Sequence, residues 1–132
     1  MNPASTTRTP LAYWLVTGLF AAGIIGSGLT QLLHTDFMRE GFHRLGYPQY
    51  LLTLLGSWKI LGGIVLVLPG WQLVKEWAYA GFFFLLTGAM VAHIAAGDQL
   101  RQVLPSTLFL LLLMASWYLR PAERRLSAAA GA

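Results

Sequence analysis

A chain of 132 residues has room for one domain. At 56% hydrophobic and only 11% charged, it lacks the polar surface of a soluble domain, which runs nearer a quarter charged. The net charge of +4 comes from Lys and Arg residues at the edges of apolar runs, where they set membrane orientation, which argues against nucleic acid as a partner; zero cysteines exclude disulfides, thiolate metal sites and cysteine redox chemistry in the chain itself.

A helix needs roughly 20 apolar residues to cross hydrocarbon. On that measure the sequence predicts an all-α integral membrane protein, a four-helix transmembrane bundle over residues 11–120. Residues 1–10 and 121–132 form cytoplasmic tails, and Ser127 to Ala132 reads as disordered. The first span, about 11–33, has no ionisable side chain. Its apolar stretch exceeds the roughly 7–15 residues of a signal-peptide core, so an uncleaved helix is expected.

The first external loop has helical character of its own. From Asp36 to Leu45 the apolar Phe37, Met38, Phe42 and Leu45 recur at near-helical spacing between charged residues. Asp36 is the expected N-cap, and Gly46 the residue that ends the helix in a left-handed conformation. This predicts a short amphipathic interfacial helix that covers the bundle mouth or gates lateral access for a lipid-soluble ligand.

The second span, about 50–68, is interrupted only by Lys59. A Pro69-Gly70 turn leads to the third, about 71–96, which begins with Lys75 and Glu76. The Gly97-Asp98 turn precedes the fourth, about 104–119. Arg8, Lys75, Arg120, Arg124 and Arg125 then share one side against Arg39, Arg44 and Arg101 on the other; five to three places both termini in the cytoplasm. Small-residue stripes, Gly18/Ala22/Gly26 on the first span and Gly88/Ala92/Ala96 on the third, suggest that these two helices touch.

Lys59 is the most informative residue. It lies near mid-membrane, where an ammonium costs roughly 2.5–3.5 kcal/mol on insertion scales, and it shares a helical face with Gly56 and Gly63, so it should point into the bundle beside Trp58. Glu76 lies only ~6 Å away in depth by helical rise, which makes a Lys59–Glu76 pair the leading expectation. Such a pair either fixes helix register or leaves Lys59 to bind an oxyanion or polarise a carbonyl at the end of a hydrophobic ligand. Tyr79 and His93, with Thr87, Ser57, Thr17 and Ser27, are further polar candidates, each with a plain packing role as its alternative. His34, His43, Asp36 and Asp98 lie at the level of His93, but no two have the i, i+4 spacing of metal ligands, so no metal site is assigned.

Several of these segments carry a resemblance. Leu45-Gly46-Tyr47-Pro48, Trp58-Lys59 with Gly62, Leu68-Pro69-Gly70 and above all Lys75-Glu76-Trp77-Ala78-Tyr79-Ala80-Gly81-Phe82 resemble the DoxX-like family of bacterial membrane proteins, over about Ala12 to Leu119. His93 and Gly97-Asp98 fit the same pattern, whereas Leu85 departs from it where many members carry Asp or Asn. The resemblance implies a four-helix fold in a bacterial cytoplasmic membrane. It also implies kinship with small subunits resembling those of a thiosulfate:quinone oxidoreductase, or with proteins tied to redox stress and redox-enzyme maturation. No catalytic residue carries over. Three readings follow. One is an accessory or binding subunit for a quinone-like lipophilic molecule, with a redox enzyme partner and assembly as a dimer. The others are a small transporter or channel, and a membrane enzyme using Lys59 or His93 as acid or base. Ligand-binding candidates are Lys59, Trp58, Glu76, Tyr79 and His93.

Overall fold

The structure, a computed structural model, describes residues 8–126. The expected tail at Ser127 to Ala132, and most of the tail over residues 1–10, lie outside them. The described residues form five α-helices and no strand: α1 (Arg8–Leu32), α2 (Asp36–Leu45), α3 (Tyr50–Val67), α4 (Gln72–Ala95) and α5 (Leu100–Tyr118), followed by a 3-10 turn at Ala122–Arg124. Four of the helices are long and apolar enough to cross a membrane, and the protein is a multi-pass membrane bundle. The apolar spans Leu11–Leu32, Tyr50–Val67 and Gln72–Ala95 lie within about a residue of the first three predicted, although α1 itself begins three residues earlier, at Arg8, inside the expected N-terminal tail. The fourth begins at Leu100 rather than 104, because Gln99 and Gln102 close a reciprocal capping box ahead of Pro105.

The short interfacial helix is present as α2. Its cap is Thr35 rather than Asp36, and Gly46, at φ 79°, ends it with its N–H turned back to His43 and Phe42. Phe42 is buried against Tyr47, while Phe37 stays exposed.

The spanning helices pack in the cyclic order α1, α3, α4, α5, and the α3–α4 seam is the loosest of the four. The tightest crossing is α1 on α3, where Gly28 and Gly56 meet backbone to backbone: a Cβ on either would lie 2.8 Å from the other's carbonyl oxygen. The expected contact between the first and third spans through small-residue stripes is not what forms. Gly18, Gly26 and Gly88 face open space. α1 and α4 sit diagonally and meet through large side chains, the Phe20 and Phe82 rings lying edge-on at 5.1 Å in a core with Ile24, Leu66 and Leu113.

Candidate functional site

The loose α3–α4 seam encloses a cavity of about 1310 Å³, walled by the four spanning helices and roofed by α2. Trp58 and Leu61 of α3 and Trp77 and Phe84 of α4 line it and are also more than half exposed, so the cavity opens sideways where lipid would lie.

Lys59 projects into this cavity as its sequence position requires. Gly56 and Gly63, on the same face, press so closely on α1 that Lys59 is carried to the α1 side, where it is only 9% exposed. Its Nζ donates to Ser27 Oγ at 3.0 Å. No carboxylate pairs with it among the described residues. An ammonium has three donors, so two remain for a ligand. One turn along α1 from Ser27 is Gln31, 3% exposed and also lining the cavity; its Oε1 is buried with no hydrogen-bond partner among the described residues. The sequence reading missed Gln31. Its signal is the four-residue spacing from Ser27 beside Gly28, which puts both polar groups on the face that meets α3.

The expected Lys59–Glu76 pair does not form. Depth alone allowed it, but Glu76 lies on the far side of α4, where the Arg120 guanidinium binds its carboxylate. Tyr79 shares that far side: its hydroxyl meets Ser116 Oγ at 2.7 Å, and Ser116 in turn meets Thr17 Oγ1 at 2.6 Å, a buried chain joining α4, α5 and α1. The cavity therefore gathers Lys59, Trp58 and His93 of the sequence candidates, while Glu76 and Tyr79 serve the α4–α5 contact on the opposite face.

At the α2 end His93 lines the cavity and donates from Nδ1 to Asp98 Oδ2 at 2.6 Å. Arg44 of α2 reaches the same carboxylate, Nε at 3.2 Å and Nη2 at 3.3 Å. Asp98 thus ties α2 to the α4–α5 turn over the cavity mouth. His34 instead bonds Thr53, and no group of three or more metal-ligating side chains occurs among the described residues. The His93 hydrogen bond first, then the Arg44 charge, hold the Asp98 carboxyl below its usual range against partial desolvation. A depressed carboxylate pKa stabilises above the unfolded value of about 3.9 and is lost as pH falls through the folded value, so the tie is complete at pH 5 and dissolves only in stronger acid. Asp98→Asn is expected to speed amide exchange in α2 roughly tenfold at neutral pH, with the spanning helices unchanged. Unaltered α2 protection in that variant would mean that its apolar face alone holds it down.

Compared with known proteins, residues 15–116 match the family model described as the DoxX-like family. No curated protein and no solved structure matches the chain.

Proposed function

We propose, from the premise that the chain belongs to the DoxX-like family, that it is an accessory or binding subunit that holds a lipophilic small molecule in the α3–α4 cavity. The observation that carries this reading is Lys59: a mid-membrane amine, with one hydroxyl partner and no counter-ion among the described residues, facing a largely apolar cavity that opens toward lipid. Intramembrane ionisable groups are expensive and mark ligand sites by default. A quinone-like ring fits the reading, its carbonyl accepting from Nζ and its tail leaving between α3 and α4. With no cysteine in the chain, electrons in a redox pathway would travel on such a ligand or on a partner enzyme. The same proposal places the protein in a bacterial cytoplasmic membrane as a homodimer, with both termini inside, supported by the five-to-three bias of basic residues.

The test is what leaves the membrane with the protein. Organic extraction of protein purified in mild detergent, followed by mass spectrometry and ultraviolet absorbance, is expected to recover a lipophile near one per chain. Lys59→Met is expected to retain helicity and lose at least nine-tenths of it. A wild-type protein that carries no small molecule, or a Lys59→Met protein that keeps its full load, would remove the reading.

A further inference from the structure

Resting on the reading that the cavity holds a lipophile, we propose that this ligand carries an anionic headgroup, a carboxylate or a phosphate, seated between Lys59 and Arg101 beneath α2, with its chain in the α3–α4 seam.

The first support is the charge of the lining. Among the described residues its ionisable groups are Lys59, Arg44, His93 and Arg101, together with the Tyr47 phenol, and no carboxylate lines the cavity. Asp98, just outside, is already engaged by Arg44 and His93. That leaves Lys59 with a single hydroxyl partner, and Arg101 with no hydrogen bond or ion pair among the described residues. A low-dielectric cleft walled by one sign of charge concentrates the opposite sign within it.

The second support is the direction of the polarity. α3 runs away from α2, and α4 returns toward it. Lining side chains that can hydrogen-bond therefore cluster from the level of Lys59 to the roof: Ser27 and Gln31 on α1, His93 on α4, and Arg101, Gln102 and Ser106 on α5. Beyond Lys59 the walls are Gly62, Val65, Val74, Ala78 and Phe82, with the Trp77 edge at the opening. An amphiphile is matched to such a divide, head toward α2 and chain toward the other end.

The third is reach. Ser27, which holds Lys59 Nζ, lies five residues before the end of α1, about 7.5 Å at the helical rise, so the amine sits within one side-chain length of the level of Arg101. A compact head with two or three acceptor oxygens can take donors from both cations. Gln31 lies at the same place: its Oε1 has no partner among the described residues, and only by turning about its soft terminal torsion does its amide present N–H rather than oxygen to an arriving anion.

The experiment uses the full chain in nanodiscs of neutral phosphatidylcholine, with four brominated probes of similar chain length: a fatty acid, an alkyl phosphate, a fatty alcohol and an alkyl benzoquinone. Quenching of tryptophan fluorescence reports occupancy beside Trp58 and Trp77. At least one acidic probe is expected to bind tenfold or more tightly than the alcohol and the quinone. Comparable binding of both acids would define charge as the shared requirement, and binding of one alone would identify its headgroup. Lys59→Gln and Arg101→Gln are each expected to bring the acids within about twofold of the alcohol without weakening the alcohol itself. Arg101→Gln, at an exposed site, keeps the test intact if the Lys59 variant does not fold. Alcohol or quinone binding that equals the acids overturns the anionic headgroup and leaves the lipophile reading standing. Failure of all four probes on the wild-type protein removes both.

Discussion

Gly56→Leu is expected to yield no folded protein, and Gly56→Ala to destabilise the bundle by about 1–3 kcal/mol, the usual range for overpacking. The reason is the identity of the obstructing atom. A Cβ at Gly56 lies 2.8 Å from the backbone oxygen of Gly28, and a carbonyl on a helix cannot swing aside as a side chain can. The same contact works in reverse, since a Cβ at Gly28 meets the oxygen of Gly56 at the same distance and Lys59 Cβ at 3.1 Å. Relief therefore requires α1 and α3 to separate, and separation would also part Ser27 from Lys59. Gly62 is the informative comparison: its Cβ would approach Phe82 at 2.6 Å, but at the ring end, which can rotate toward the cavity. Gly26→Ala and Gly88→Ala, which face open space, serve as neutral controls. Thermal unfolding in detergent should rank the variants as Gly56 worst, Gly62 intermediate, and Gly26 and Gly88 unchanged. Equal midpoints for Gly56→Ala and Gly88→Ala would show that the α1–α3 crossing is not the tight contact that positions Lys59.

That ranking also shows where sequence stopped being informative. The spans were legible because hydropathy and length decide them, and α2 because Phe42 and its neighbours repeat with a helical period ahead of a glycine. The packing partners were not. Spacing of small residues by four selects a helix face without saying which neighbour lies there. Gly18/Ala22/Gly26 offers one face of α1, and Gly28, one turn from Ile24, offers another. Bulk decided between them, since Phe20 and Phe82 fill the diagonal and hold α1 and α4 apart. The site was half legible for a similar reason. Depth is written in residue number, which places Lys59 at mid-membrane, but the bearing around the helix depends on how α4 is rotated in the bundle. Ala78 and Phe82 of α4 face the cavity, whereas Glu76 and Tyr79 line the opposite groove. The direction of Glu76 was therefore settled by α5, and Arg120, whose place just past the fourth span marked it only as an orientation charge, is its partner.

Breaking that partnership carries the second large effect. Glu76→Ala is expected to cost about 3–5 kcal/mol, because it leaves the Arg120 guanidinium with little water around it and no carboxylate partner, and Arg120→Ala to cost less, because the Glu76 side chain it leaves behind is 28% exposed. Arg120 is only 7% exposed, donates from Nε to Trp117 O at 2.9 Å, and lies 5.3 Å over the Tyr79 ring and 4.9 Å over that of Trp117. Its own carbonyl accepts from Arg125, so the loss would spread into the segment that closes this end of the bundle. There Arg124 donates to the Tyr13 hydroxyl and to the carbonyls of Leu66 and Leu68, tying α1 and α3 to the same segment. The pair interaction separates from these other losses in a double-mutant cycle. Glu76→Gln with Arg120→Gln should be less damaging than the sum of the single changes, leaving a coupling of about 1–3 kcal/mol in reversible unfolding. Exchanging the two charges should recover part of the stability, whereas exchanging Lys59 with Glu76 should recover none. Additive single changes would show that Arg120 acts through its aromatic and carbonyl contacts alone, and rescue by the Lys59–Glu76 exchange would place Glu76 on the cavity face of α4 after all.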